Sequence, residues 1–158
     1  PTPAHCRPSS NQWRHSRQRS RNRLGLASMI VLDTHIWLWW INADQMRLQS
    51  AWTARIESAE PVGVSAISCF EVAWLAHHGR IDLPCAEEAW FEKALDGSGI
   101  TLLPITARIA RIAVQLPEHH RDPQDRLIIA TALTHDATLI SMDDKFPLYA
   151  ELAGHLLR

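Results

Sequence analysis

Four acidic residues occur at positions that a solvated helix face does not explain. Asp33 directly follows the apolar strand predicted at residues 30–32, and Asp143 lies just past the strand predicted at residues 138–141. Glu71 lies early in the helix predicted at residues 67–78, and Asp125 lies at the start of the helix predicted at residues 123–135. Carboxylates that crowd together repel one another, and a raised pKa or a bound cation relieves that repulsion. Oxygen ligands without Cys or His suit Mg²⁺ or Mn²⁺ better than zinc. The four acids therefore predict a divalent-cation site, provided that the fold brings them together.

Each of these acids also has a purely structural interpretation. Asp33 can N-cap a helix that begins at residue 34. Residues 68–71 match the S-x-x-E capping box. Residues 122–125 offer an N-cap Asp, a Pro at the first helical position and an Asp that favours the helix dipole. Asp143 can cap a short helix or form a turn. Capping explains each acid taken singly, whereas their common position near strand ends favours a joint role.

Short apolar strands alternate with helical patterns from residue 29 onwards. Strands are predicted at residues 30–32, 62–64, 100–103 and 138–141, with a short fifth near 155–157. Helices are predicted at residues 34–41, 45–58, 67–78, 84–96, 106–115 and 123–135. This alternation predicts an α/β fold with a mainly parallel sheet of four to five strands, covered on both faces. Because the carboxyl ends of parallel strands share one edge, where such folds bind ligands, all four acids map to that edge.

The first 28 residues differ in composition from the rest of the chain. Residues 1–28 contain six arginines and no acid, whereas residues 29–158 contain ten Lys or Arg and all 17 acids. With little apolar periodicity, residues 1–28 are expected to be a disordered basic extension, and the folded domain is expected at residues 29–158. The composition favours a disordered extension without a function of its own, which precedes a translation start at Met29 and is not part of the native protein. A basic arm that contacts nucleic-acid phosphates and a transit peptide remain alternatives.

The overall composition is that of an ordinary globular protein. A length of 158 residues suits about one domain, and 46% hydrophobic with 21% charged residues is ordinary usage. Because no run of 18 apolar residues is present, we expect no membrane-spanning helix. The cysteines, Cys6, Cys69 and Cys85, form no C-x-x-C pair and are expected to be reduced thiols of a cytoplasmic protein.

Together the acids and their neighbours form a pattern that is specific to one family. The segments are Leu32-Asp33-Thr34-His35, Phe70-Glu71-Val72, His120-Arg121-Asp122-Pro123-Gln124-Asp125-Arg126 and Ile140-Ser141-Met142-Asp143. Their order and spacing resemble PIN-domain ribonucleases, and most of all the VapC toxins of type II toxin–antitoxin modules. The resemblance covers residues 29–158. It implies a three-layer α/β/α fold and Mg²⁺- or Mn²⁺-dependent hydrolysis of RNA phosphodiesters. It also implies a homodimer and a cognate antitoxin whose tail fills the active-site groove.

The resemblance also implies roles for individual residues. Asp33, Glu71, Asp125 and Asp143 match the catalytic, metal-binding acids. Ser141 matches a small hydroxyl residue that supports the last acid, and Thr34 and Arg121 are candidates to support the site or contact substrate. Asp122 lies close enough in sequence to replace or assist Asp125.

The other polar residues near these acids are expected to play lesser parts. Arg126 is expected to pair with the acids. His119 and His120 are expected to be exposed in a polar loop.

The leading function is therefore an endoribonuclease toxin in the cytoplasm. The alternative is a catalytically inactive PIN-like module that binds RNA or a protein partner, and the presence of all four acids argues against it. A phosphohydrolase with Asp-x-Asp after the first strand is disfavoured, because Asp33-Thr34-His35 lacks the second acid.

Overall fold

The computed structural model describes residues 29–59 and 61–158. The predictions for residues 1–28 and for Cys6 lie outside these described residues. The strands are β1 (Ile30–Leu32), β2 (Val62–Ser65), β3 (Thr101–Leu103), β4 (Thr138–Ile140) and β5 (Leu156–Leu157). The helices are α1 (Thr34–Ile41), α2 (Ser50–Ser58), α3 (Ala66–His77), α4 (Glu87–Ala94), α5 (Ala107–Gln115) and α6 (Pro123–Thr134). Two short 3₁₀ helices, Phe146–Leu148 and Ala150–Leu152, lie between β4 and β5.

The five strands form one parallel sheet in the order β3-β2-β1-β4-β5. The predicted α/β class and parallel sheet are thus confirmed. The central strand β1 pairs with β2 on one side and with β4 on the other, where Leu32 lies opposite Ile140. The strand order reverses between β1 and β4, and parallel α/β sheets bind ligands at the carboxyl ends of strands beside such a reversal.

Alternate residues of β1 pack into two separate cores, and this produces the three layers. Ile30 and Leu32 belong to a cluster with α1, α2 and α4, whereas Val31 belongs to a cluster with α5 and α6. The first cluster contains the buried Trp37 and Trp90, whose rings meet edge to face at 5.1 Å. A strand that is buried on both faces reads as a continuous apolar run, as residues 30–32 do.

Two predicted helices are shorter in the structure. The helix predicted at residues 45–58 begins at Ser50, because residues 45–47 form turns after Ala43, which has a positive φ of 53°. Met46 is 96% exposed and offers no apolar anchor to an earlier start. The helix predicted at residues 84–96 spans Glu87–Ala94. Helix α3 ends as predicted before Gly79, whose φ of 62° suits a residue just past a helix.

None of the helices in residues 29–59 and 61–158 combines the length and apolar character needed to cross a membrane. Cys69 and Cys85 form no disulfide bond with each other, in agreement with the prediction of reduced thiols for these two residues.

Candidate active site

Asp33 lies in the one-residue connection between β1 and α1, at the carboxyl end of the central strand. Its backbone is extended, and its Oδ1 accepts a hydrogen bond from the Thr34 backbone N–H at 2.7 Å, so it is the N-cap of α1. Its Oδ2 accepts a second bond from the Ser141 hydroxyl at 2.6 Å. Burial raises the pKa of Asp33, and the two hydrogen bonds oppose that effect. The predicted N-cap role of Asp33 is thus confirmed, and the same side chain lies at the edge of the sheet where the candidate site is expected.

Ser141 joins the ends of β1 and β4. Its hydroxyl donates to Asp33 and accepts from the backbone N–H of Asp143 at 3.1 Å. Ser141 is fully buried, so both bonds lie in a low-dielectric environment. The hydroxyl thereby fixes Asp33 and the backbone of Asp143 relative to each other.

Glu71 is held by Thr34 rather than by a capping box. The N-cap of α3 is Ser65, so Ser68 lies inside the helix and the predicted S-x-x-E capping box is wrong. The reason is that β2 extends to Ser65 and α3 follows without a gap. The Thr34 hydroxyl donates to Glu71 Oε2 at 2.6 Å and lies 2.9 Å from the Ser68 hydroxyl. Burial raises the pKa of Glu71, and the bond from Thr34 opposes it.

Asp125 lies in the first turn of α6, where its side chain is half-buried. Burial, followed by the charges of four other acids, raises its pKa from 3.8 to about 7. Those four acids are Asp33, Asp143, Asp122 and Glu71. Burial and the charges of the other acids thus act in the same direction on the pKa of Asp125.

Asp122 uses its side chain to cap α6. Its Oδ1 accepts from the Gln124 backbone N–H at 2.9 Å, and Pro123 follows at the first helical position, as the sequence predicts. Asp122 is exposed, whereas Asp125 is half-buried. Of the two acids, Asp125 is therefore the better candidate ligand, and Asp122 contributes charge from the rim.

Asp143 is bound by His120, a residue that the sequence analysis expects to be exposed. His120 is only 4% exposed, and its Nε2 lies 3.0 Å from Asp143 Oδ1 and 4.0 Å from Asp125 Oδ2. The expectation is wrong for His120, while His119 is exposed as predicted. Asp143 Oδ1 also accepts from the Lys145 backbone N–H at 2.7 Å and so forms the predicted turn.

Comparisons with known proteins identify the family of this chain. The family model of the PIN domain matches residues 30–152. The chain belongs to the PIN domain family. The match spans β1 to the second 3₁₀ helix and includes all four candidate acids.

One relative of this PIN domain is Ribonuclease VapC22 from Mycobacterium tuberculosis. The two sequences are 39% identical over 115 residues, which is 72% of this chain and 86% of the relative. Among solved structures, one similar chain comes from the crystal structure of VapBC2 from Rickettsia felis bound to a promoter DNA fragment. It is 19% identical with a TM-score of 0.58, and the match covers 82% of this chain and 97% of that chain. A toxin–antitoxin complex from Klebsiella pneumoniae is 23% identical with a TM-score of 0.52, covering 82% and 96%. At these low identities the structural likeness establishes the fold.

Arg126 stabilises the end of helix α5 and forms no ion pair with the candidate acids among the described residues. Its guanidinium donates to the carbonyl oxygens of Ala113, Val114 and Leu116 at 2.8–2.9 Å, where α5 ends. The expected pairing of Arg126 with the acids is wrong, because neighbouring residues on a helix point in different directions and Arg126 follows Asp125 directly. The neighbouring Arg121, by contrast, is exposed beside Asp122.

The donor set of the PIN domain fits a hard divalent cation in its chemistry. Four carboxylates from four elements share one edge of the sheet, and oxygen donors suit Mg²⁺ or Mn²⁺. Among the described residues, however, no three His, Cys, Asp or Glu side chains are arranged to hold one ion. Asp33, Glu71 and Asp143 turn oxygens towards protein donors instead. The fold therefore gathers the acids, and cation binding requires side-chain adjustment.

Proposed function

We propose that this chain is a divalent-metal-dependent endoribonuclease that acts as the toxin of a toxin–antitoxin pair and limits growth by cutting RNA. One observation carries the proposal: contacts through Thr34, Ser141 and His120 link the four candidate acids where the strand order reverses, namely Asp33, Glu71, Asp125 and Asp143. Family membership and the 39% identity to Ribonuclease VapC22 support the nuclease activity. The likeness in fold to chains from toxin–antitoxin complexes supports an antitoxin partner.

Asp33, Glu71, Asp125 and Asp143 are the residues that would hold Mg²⁺ or Mn²⁺. When bound, such a cation supplies a Lewis acid for the phosphate and a means of activating water. Without it, four ionised carboxylates would repel an RNA backbone. The cation requirement thus follows from the charge of the site as well as from the reaction.

The other polar residues have positioning roles in this proposal. Ser141 and Thr34 hold Asp33 and Glu71 through hydrogen bonds of 2.6 Å, so these carboxylates keep their orientation. Arg121 is exposed and precedes Asp122 directly in the chain, and its guanidinium can bind a substrate phosphate through two parallel hydrogen bonds. We further propose that the protein acts as a homodimer on RNA in the cytoplasm.

The test is RNA cleavage by the full chain with and without added Mn²⁺. We expect cleavage that depends on Mn²⁺ and is abolished by excess EDTA. Asp33→Asn should reduce the rate by more than about 100-fold, since loss of a ligand exceeds the 10–100-fold effect typical of residues that only support ligands. Asp144→Asn is the matched control, because Asp144 is an exposed acid that pairs with Arg158 at 2.5 Å.

Two results would contradict the proposal. One is full cleavage by Asp33→Asn or in EDTA. The other is the absence of both Mn²⁺ binding and cleavage in the wild-type chain, which would favour a PIN-like module that binds RNA or protein without cutting it.

A further inference from the structure

The ring of His120 lies between the candidate metal ligands and the segment that precedes β5. On one side, Nε2 contacts Asp143 at 3.0 Å. On the other side, Nδ1 lies 3.0 Å from the Tyr149 hydroxyl. The ring also meets Phe146 edge to face at 5.1 Å and stacks on Tyr149 at 5.6 Å. Because His120 and Tyr149 are 4% and 1% exposed, protein groups rather than bulk water must satisfy their polar atoms.

The protons of this chain of groups can be assigned from its chemistry. An ionised Asp143 carboxylate has only acceptor sites, so the bond at 3.0 Å requires a proton on His120 Nε2. A neutral imidazole then has no proton on Nδ1, which must accept. The Tyr149 hydroxyl has one proton to donate there, and its oxygen accepts the His120 backbone N–H at 3.1 Å. Burial raises the pKa of Tyr149, so its hydroxyl keeps that proton.

We propose that His120, locked by Tyr149 as the Nε2–H tautomer, is a positioning residue that orients Asp143 for cation binding. This inference rests on the proposed function. The imidazole and the Lys145 backbone N–H both donate to Oδ1 of Asp143, so they fix the carboxylate without occupying Oδ2. Hydrogen bonds that orient a metal ligand typically contribute 10–100-fold to metal affinity.

The position of His120 also links two acids from different elements. Its Nε2–H lies 4.0 Å from Asp125 Oδ2, so a single donor faces Asp125 of α6 and Asp143 after β4. A positive partial charge placed there reduces the repulsion between these carboxylates. Tyr149, which lies in the packed segment after β4, therefore fixes the His120 ring and, through that ring, the Asp143 carboxylate.

The tautomer of His120 is the first test. Long-range nitrogen–proton correlation spectra of the metal-free full chain, recorded above neutral pH, distinguish the two neutral forms of each histidine. We expect the Nε2–H form for His120 in the wild type and a weaker preference for it in Tyr149→Phe, which keeps the aromatic ring but removes the hydroxyl that donates to Nδ1, while Asp143 still accepts from Nε2–H. An Nδ1–H form, or an even mixture in the wild type, would overturn the proposal. This readout needs neither metal nor RNA.

Manganese affinity of the variants is the second test. By titration calorimetry with Mn²⁺ alone, we expect His120→Ala and Tyr149→Phe to bind about tenfold more weakly than the wild type. His120→Gln, whose amide can still donate to Asp143, should stay within about threefold. His119→Ala, at the exposed neighbouring imidazole, should bind Mn²⁺ like the wild type. Circular dichroism spectra establish that each variant is folded.

The outcomes separate this inference from the proposed function. A purely structural His120 would make His120→Gln as weak as His120→Ala, because both lose the ring contacts with Phe146 and Tyr149, and that result would overturn the positioning role. Wild-type affinity in His120→Ala would overturn it as well. A wild-type chain that binds Mn²⁺ with the expected variant pattern but cuts no RNA would refute the nuclease proposal and leave the role of His120 intact.

Discussion

The Ser141 hydroxyl donates a hydrogen bond of 2.6 Å to Asp33 Oδ2, across 108 positions of sequence. The two residues follow β4 and β1, which pair in parallel so that Leu32 lies opposite Ile140. The register of this pairing places the residue after each strand at the same height. The bond can form because β1 and β4 are parallel and in this register. It links Asp33, after the first strand, to the segment after β4 that contains Asp143.

Substitution Ser141→Ala tests the contribution of this bond. Removing it leaves a buried carboxylate with one fewer donor, and hydrogen bonds to charged groups contribute about 1.5–3 kcal/mol. We expect the free energy of unfolding to fall by roughly this amount, as measured by urea denaturation of metal-free protein above neutral pH. Asp33 should also titrate at higher pH, because the lost bond lowers its pKa in the wild type. Unchanged stability would mean that Ser141 does not hold Asp33.

The pH dependence of stability should reveal the crowding at Asp125. In the fold its pKa is about 7, above the ordinary aspartate value of 3.8, so the native state binds this proton more tightly than the unfolded chain. The resulting stabilisation is complete below the unfolded pKa and is lost as the pH rises through the folded pKa. Metal-free protein should therefore melt at lower temperature as the pH rises from about 4 to about 7. The raised pKa values of Asp33 and Glu71 act in the same direction.

The variant Asp125→Asn isolates the contribution of Asp125. It has no group to ionise at this position, so its melting temperature in EDTA should decline less over the same range. Above neutral pH it should exceed that of the wild type. Asp144→Asn, which removes an exposed acid, serves as the control. A wild-type chain that gains stability towards neutral pH would show that burial and the neighbouring acids do not raise these pKa values in the fold.

The sheet and the positions of the acids could be predicted because they depend on local sequence. Short apolar runs and the helical periods between them predict the alternation of strands and helices in an α/β fold, and parallel pairing then brings strand ends to one edge. The start of α3 could not be predicted as well. Ser68 completes a capping pattern in sequence, yet the burial of β2 as far as Ser65 starts the helix earlier.

The burial of His120 and its contacts with Tyr149 and Asp143 could not be predicted because they depend on distant residues. Tyr149 is 29 positions away, and nothing in the loop at residues 117–121 indicates that an aromatic segment covers it. The position of Arg126 is a similar case. Its closeness in sequence to Asp125 suggests an ion pair, whereas the direction of its side chain on α6 brings it to the end of α5. In each case packing between elements decides which polar groups meet.

Arg126→Ala should destabilise the fold and spare the site. The guanidinium satisfies three carbonyl oxygens at the carboxyl end of α5, where a positive charge also interacts favourably with the helix dipole. We expect a loss of about 2–3 kcal/mol in urea denaturation. Arg126→Lys should recover part of the lost free energy of unfolding, because an ammonium keeps the positive charge. It lacks the planar, forked donors with which the guanidinium binds three carbonyl oxygens at once. Mn²⁺ affinity of the folded fraction should not change, and a marked loss of affinity would indicate that Arg126 acts on the acids after all.

Arg121→Ala should weaken substrate binding without changing stability. Arg121 is exposed and lies between the buried His120 and the N-cap of α6, so it can approach a phosphate at the rim of the acidic cluster. The loss of one charge-assisted hydrogen bond predicts a rise in KM for RNA of roughly tenfold with little change in kcat. The slope of log KM against log salt concentration should fall by about one, because one fewer phosphate is neutralised. Arg108→Ala, at an exposed arginine of α5, is the matched control. If KM and its salt dependence are the same in both variants, Arg121 does not contact the RNA backbone.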